Sequence, residues 1–72
     1  MARIPSSYPK FAANLKRLRE ARGFTQAQLA ERAGLQRVYV VWLETGTKTN
    51  PSLDALDRLA HALRVTVIDL LR

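Results

Sequence analysis

The stretch from Thr25 to Glu44 constrains the fold most, because two short helical patterns meet there at one glycine. Thr25 and Gln28 have the spacing of a capping box, which predicts a helix start. Apolar residues then recur every three to four positions up to Gly34, where a turn between two angled helices needs a residue without a Cβ. The sequence therefore predicts a helix-turn-helix whose second helix runs from Gln36 to Glu44.

The second helix has a competing interpretation, since Val38 to Trp42 is rich in β-branched and aromatic residues that favour a strand. A single strand would have no partner elsewhere in the chain. Coiled at about 100° per residue, the segment places Val40 and Leu43 on one side with Gln36. The other side then carries Arg37, Val38, Val41 and Trp42. We expect the helix, with Val40 and Leu43 turned inward.

Three further helices follow from apolar spacing and capping residues. Helix one begins near Lys10 and ends before Gly23, a residue type common just past a helix C-terminus. Ser52 starts helix four after a polar loop, and Thr66 with Asp69 forms a capping box for helix five. The expected buried stripe of helix four is Leu53, Leu56, Leu59, Ala60 and Leu63. We expect one all-α, five-helix domain over residues 10–72, preceded by a flexible arm over residues 1–9.

Charge is the compositional feature that says most about partners. Lys and Arg outnumber Asp and Glu by 12 to 6, which gives a net charge of +6 and a pI near 10.9. Such an excess attracts polyanions, of which nucleic acid is the commonest in a cytoplasm; charge alone leaves open a soluble protein that is merely basic. No cysteine is present and no apolar run could cross a bilayer. We expect a cytoplasmic, nucleoid-associated protein without membrane contact.

Residues of the kind that perform catalysis are few and scattered. His61 is the one histidine, and its place in the helix-four pattern predicts a surface or rim position. Asp54 and Asp57 are explained by their nearness to a helix start. The chain has no glycine-rich phosphate loop, nucleophile–base set or metal-ligand spacing. We therefore expect no enzyme activity, no cofactor and no metal.

Several spaced motifs resemble the phage Cro/repressor-type helix-turn-helix family, also described as xenobiotic-response-element-like. They are Gln26-x-x-Leu29-Ala30-x-x-Ala33-Gly34-Leu35, then Val40-x-x-Leu43-Glu44-x-Gly46, then Asn50-Pro51-Ser52-Leu53. The resemblance runs from about Phe11 to Leu71. It implies a lambda-repressor-like fold of five helices, with helix three in the major groove of double-stranded DNA and usually a symmetric dimer. The implied function is sequence-specific transcriptional regulation.

The same resemblance implies roles for individual residues. Gln26 is expected to bind a phosphate and to brace a side chain at the start of helix three, and Arg19 with Glu44 to form a partly buried ion pair. The residues expected to contact bases are Arg37, Val38, Val41 and Trp42. Those expected at DNA phosphates are Thr25, Gln26, Tyr39, Thr45, Lys48, Thr49 and Asn50. Those expected at the dimer interface are Asn50, Leu53, Val65 and Ile68.

Helix three departs from the family pattern, which usually has polar residues at Val38, Val41 and Trp42 and a serine or threonine at Gln36. An exposed apolar patch more often marks a protein interface than a groove reader. The alternative is therefore a protein-interaction module of the helix-turn-helix fold, of antitoxin or accessory type. In that case the Val38, Val41 and Trp42 face would bind a protein partner.

Overall fold

The computed structural model describes residues 9–72 and shows five α-helices in that range, with no β-strand. They are α1 (Phe11–Ala21), α2 (Gln26–Ala33), α3 (Arg37–Thr45), α4 (Leu53–Leu63) and α5 (Val67–Leu71). The all-α, five-helix architecture predicted from the sequence is confirmed. Of the predicted N-terminal arm, residues 1–8 lie outside the described residues.

The helix starts follow the predicted capping chemistry. Thr66 and Asp69 form the predicted capping box at α5, and Ser52 Oγ accepts a hydrogen bond of 3.1 Å from the backbone N–H of Ala55 at α4. Each side-chain oxygen satisfies an N–H group that has no partner within its own helix. Helix α3 begins one residue later than predicted, because Gln36 has an extended backbone and serves as its N-cap.

Helices α2 and α3 are supported from behind by α1 and α4. Helix α2 packs on α3 and α4, whereas α1 packs on α3 and α5. The larger side chains of the shared core are Phe11, Leu15, Leu29, Val40, Leu43, Leu56, Leu59, Leu63 and Leu70. This core fixes the position of α3 and leaves its opposite side open to solvent.

Two polar side chains connect the ends of distant helices. Asn14 Nδ2 donates to the carbonyl oxygens of Leu70 at 3.1 Å and Arg72 at 2.8 Å, which ties the end of α5 to α1. Arg22 Nε donates to the carbonyl oxygen of Leu63 at 2.9 Å, where α4 ends. The carbonyl groups at a helix end lack partners within the helix, so these bonds satisfy them.

The prediction for Leu53 as part of the buried stripe of α4 is wrong. Leu53 is 54% exposed, whereas Leu56, Leu59 and Leu63 are fully buried. Leu53 is the first residue of α4, and the core begins one turn later along the helix. None of the helices in residues 9–72 is long and apolar enough to cross a bilayer.

Candidate nucleic-acid interface

The predicted helix-turn-helix consists of α2, the turn at Gly34 and α3. At the start of α2, Gln28 N–H donates to Thr25 Oγ1 at 3.0 Å, and Thr25 N–H donates to Gln28 Oε1 at 2.8 Å, so the predicted capping box is confirmed. Gly34 has φ 69°, a left-handed conformation that glycine adopts without strain. The N–H of Leu35 then donates back to the carbonyl oxygen of Ala30 at 2.9 Å, which closes α2 and turns the chain into α3.

Helix α3 has a buried side and an open side, as its periodicity predicts. Val40 and Leu43 have no exposed surface. On the other side Arg37 is exposed, Val41 is half-buried and Val38 is 43% exposed. Trp42, also on that side, is 44% exposed. The four residues expected to contact bases therefore share one outward surface, which we call the α3 face: Arg37, Val38, Val41 and Trp42.

An ion pair at the C-terminal end of α3 fixes the orientation of this helix. Arg19 of α1 donates to Glu44 through Nε at 2.6 Å and Nη2 at 3.0 Å, and through Nη1 to the carbonyl oxygen of Phe24 at 2.8 Å. The side chains of Arg19 and Glu44 are only 11% and 3% exposed, so the predicted ion pair is present. The hydrogen bond with Glu44 raises the pKa of Arg19 against the opposing effect of burial, and the guanidinium stays charged.

Gln26 contacts α3 at a different place from the one expected. Its Nε2 donates to Glu44 Oε1 at 3.2 Å, at the end of α3, rather than bracing a side chain at the start of that helix. The Glu44 carboxylate lies within reach of Gln26 because α1, α2 and the end of α3 converge there. One N–H of the Gln26 amide remains for another acceptor, since the amide nitrogen carries two.

The segment of sequence that contains α3 has few acidic residues. Between Arg32 and Leu53 the chain contains one acid, Glu44, and the ion pair with Arg19 turns it inward and neutralises it. Arg37 and Lys48 lie in the same stretch, and Glu44 is the one carboxylate near them in the sequence. The α3 face itself thus carries the charge of Arg37 and no carboxylate, whereas the nearby exposed Asp54 of α4 lines a pocket with Gln36 and Tyr39 and is paired with Arg58.

Three of the residues expected at phosphates lie together beside the first half of α3. Lys48 Nζ lies 5.7 Å from the centroid of the Tyr39 ring, within the range of a cation–π interaction. Tyr39, Lys48 and Asn50 line one shallow pocket of about 370 Å³ together with Ser52. Sequence reasoning assigned Ser52 to a cap and missed its place in this pocket, because no local pattern shows which loop residue faces α3.

The remaining phosphate candidates lie at the ends of helices or, for Thr49, in the loop after α3. Thr25 precedes α2, where backbone N–H groups and the helix dipole favour an anion. The Thr45 hydroxyl lies 3.3 Å from the carbonyl oxygen of Trp42 and 2.9 Å from the Thr47 hydroxyl, so it is partly engaged within the chain. Thr49 is exposed in the loop after α3. The structure thus places one group of candidates beside Tyr39 and another, Thr25 and Gln26, at the start of α2, whereas Thr45 and Thr49 belong to neither group.

The four residues expected at the dimer interface differ in their exposure. Leu53 and Ile68 are the most exposed large apolar side chains of the described residues, at 54% and 61%. Val65 packs partly against the core, and Asn50 belongs to the pocket beside Tyr39. Of the four, Leu53 and Ile68 would therefore remove the most apolar surface from water if a second copy covered them. The dimer stays a prediction.

Comparison with known proteins agrees with this geometry. The family model described as helix-turn-helix domain matches residues 10–72. The HTH-type transcriptional regulator SinR of Bacillus subtilis (strain 168) is 35% identical over 57 residues, which are 79% of this chain and 51% of SinR. The chain thus spans about half the length of that relative.

Two solved structures are similar in fold as well as in sequence. The crystal structure of SinR, "the master regulator for biofilm formation", in complex with DNA has a TM-score of 0.84 at 32% identity, and the match covers 86% of this chain and 98% of that one. The restriction-modification controller protein C.AhdI from Aeromonas hydrophila has a TM-score of 0.82 at 38% identity, covering 92% and 98%. With most of its length matched by the family model, this chain belongs to the helix-turn-helix domain family.

Proposed function

We propose that this chain is a non-enzymatic, sequence-specific regulator of transcription that places α3 in the major groove of double-stranded DNA. The observation that carries the proposal is the α3 face itself. It is rigidly held from behind by the Arg19–Glu44 ion pair, open to solvent, and free of any outward carboxylate. Its similarity to SinR, whose structure was solved in complex with DNA, supports the same conclusion.

Arg37 is the residue best suited to recognise a base directly. It is the first residue of α3, and the N-terminal part of a recognition helix contacts base edges. Its exposed guanidinium can donate two hydrogen bonds to O6 and N7 of guanine, a pairing that contributes about 1–3 kcal/mol of discrimination. Val38, Val41 and Trp42 add apolar contacts along the same groove.

Phosphate contacts fix the register of the protein without selecting a sequence. Lys48, held beside the Tyr39 ring, supplies positive charge on one side of α3. The start of α2 supplies the other side, through free backbone N–H groups and the second N–H of the Gln26 amide. The complete set that we propose at phosphates is Thr25, Gln26, Tyr39, Thr45, Lys48, Thr49 and Asn50.

A symmetric dimer is the form in which such a domain would bind a palindrome. Burial of Leu53 and Ile68 against a second copy removes apolar surface from water, with Asn50 and Val65 at the margin. Two α3 helices would then meet half-sites about 34–36 Å apart on one face of the duplex. The protein would act in the cytoplasm, on the nucleoid.

A selection of bound sequences from random duplex DNA tests the proposal. We expect a palindrome to be enriched, and its half-site spacing reports the dimer. Affinity for that duplex should fall steeply with salt, by about −0.9 in the log–log slope for each phosphate neutralised. Enrichment of no sequence together with a flat salt response would overturn the proposal.

A second candidate function rests on the apolar part of the α3 face. Val38 and Trp42, 43% and 44% exposed, would suit a protein interface. In that case the chain would be an interaction module. Trp42→Ala would then abolish binding of the protein partner and leave the affinity for DNA unchanged. Loss of DNA affinity in Trp42→Ala at unchanged thermal stability favours the regulator instead.

A further inference from the structure

The α3 face is unusual in how little hydrogen bonding it offers. Arg37 carries several donors and the Trp42 indole carries one, whereas Val38 and Val41 end in methyl groups alone. Amide and hydroxyl side chains, which accept as well as donate, are missing from these four positions. The base contacts of half of the α3 face must therefore be apolar.

The two valines form a continuous surface with their neighbours. Val38 and Val41 are three residues apart, and Val38 and Trp42 four apart, so they are adjacent along the helix with Cβ atoms about 5–6 Å apart. The residues that α3 contributes to the core are Val40 and Leu43, and Val38, on the other side of the helix, is 43% exposed. The methyl groups of Val38 are thus open to a partner, and those of the half-buried Val41 are partly open.

The major groove offers few apolar groups to such a surface. The edges of adenine, guanine and cytosine present hydrogen-bond donors and acceptors, whereas thymine also presents a C5-methyl group. A valine pressed against the polar edges leaves buried donors and acceptors without partners, which is unfavourable. A valine against the thymine methyl buries apolar surface on both sides.

We propose that Val38 and Val41 recognise the C5-methyl groups of pyrimidines next to the base pair that Arg37 contacts. This inference rests on the proposed function and names the chemistry that α3 selects. Since 5-methylcytosine carries its methyl group on the same ring carbon as thymine, the duplexes recognised include those methylated at cytosine. The binding site would be read as a guanine flanked by C5-methylated pyrimidines.

The experiment uses the duplex obtained from the selection, synthesised with changes at single positions. At each thymine of the half-site, deoxyuridine removes the methyl group and preserves base pairing and every hydrogen-bonding atom. We expect affinity to fall about fourfold for each contacted methyl, which corresponds to the roughly 0.8 kcal/mol of one buried methylene. The same deoxyuridine placed outside the half-sites should have no effect.

Cytosine and 5-methylcytosine at the same positions extend the test. Changing a contacted T·A pair to C·G should weaken binding. Methylation of that cytosine at C5 should then raise the affinity about fourfold. Equal binding of the methylated and unmethylated duplexes would contradict the proposal.

A protein variant assigns the effect to its residue. In Val38→Ala the deoxyuridine penalty at one position should fall from about fourfold to near one, whereas Lys48→Ala should weaken the thymine and deoxyuridine duplexes equally. Thermal unfolding checks that both variants fold. The inference is overturned, while DNA binding stands, if the selected half-site contains no thymine or if the deoxyuridine duplexes bind as tightly as the parent duplex. The proposed function itself is overturned if the protein shows no selective DNA binding.

Discussion

Arg19 and Glu44 are joined by two hydrogen bonds across 25 positions of sequence, from Nε at 2.6 Å and from Nη2 at 3.0 Å, with both side chains almost fully buried. The pair joins α1 to the end of α3. Loss of one partner lowers the free energy of unfolding, because the remaining charge is then buried without a counter-charge.

Removal of one partner should therefore destabilise the domain strongly. We expect Arg19→Ala to lower the free energy of unfolding by about 3 kcal/mol, a large part of the total for a domain of this size. Urea denaturation measures the loss. The double variant Arg19→Met with Glu44→Met should recover most of it, and Lys16→Ala on the exposed side of α1 should change little. A loss in Arg19→Ala no larger than in Lys16→Ala would show that the pair is energetically neutral.

The Arg19–Glu44 pair was implied by the family resemblance, whereas the features predicted correctly from the residues themselves are determined by neighbouring positions. Thr25 with Gln28, and Thr66 with Asp69, act within one turn of helix, so their spacing alone reveals the capping boxes. The left-handed turn at Gly34 is local in the same sense.

The features that the sequence did not predict depend on contacts between distant segments. Periodicity shows which side of α4 faces the core but not where the core begins, and hence it placed Leu53 inside. Asn14 contacts the carbonyl of Leu70, 56 positions away, and nothing near Asn14 indicates that contact. The partner of Gln26 at the end of α3 likewise depends on how three helices converge.

Asn14 should contribute more to stability than its polarity suggests. Its amide holds two carbonyl oxygens at the end of α5, and its side chain is buried. We expect Asn14→Ala to cost about 2 kcal/mol, because those carbonyls lose their donor. Hydrogen exchange of the α5 amides and thermal unfolding measure the effect. Asn14→Asp keeps the shape but cannot donate at neutral pH, so stability equal to the parent in that variant would rule out the hydrogen bonds as the cause.

Arg64 is the non-glycine residue with positive φ among residues 9–72, at φ 58°, where it ends α4. A side chain in that region costs roughly 1–2 kcal/mol, partly offset by the entropy that a glycine loses on folding. We expect Arg64→Gly to stabilise the domain by about 0.5 kcal/mol. Gly23 has φ 73° and open space where a Cβ would be, so Gly23→Ala should destabilise by about 1 kcal/mol through its backbone alone. Melting temperatures shifted in the same direction by both changes would contradict this account.

Asp69 should make stability depend on pH in the acid range. The backbone N–H of Thr66 donates to its carboxylate at 3.0 Å, and this bond, followed by the Thr66 side chain and by Arg72 and Arg17, lowers the pKa of Asp69 from 3.8. A lowered folded-state pKa stabilises the domain above pH 3.8, and the contribution is lost as pH falls through the folded value. The excess stability of the parent over Asp69→Asn should therefore shrink below pH 3.8. Thermal unfolding at neutral and acid pH measures it, and a difference that is constant with pH would contradict the prediction.

Arg37 and Lys48 should differ in the kind of DNA binding they support, although both are cations near α3. Arg37 begins the α3 face, so Arg37→Ala should relax base preference at one position, by the 1–3 kcal/mol of a bidentate contact, in a repeated selection. Lys48 lies beside the Tyr39 ring in the loop after α3, so Lys48→Ala should weaken all sequences alike and reduce the salt slope by about 0.9. Arg64 lies at the end of α4 and belongs to neither group of proposed DNA contacts, so Arg64→Ala is the matched loss of one charge and should leave sequence preference unchanged. If Arg37→Ala and Lys48→Ala alter affinity and base preference in the same way, the division between base and phosphate contacts on this surface is wrong.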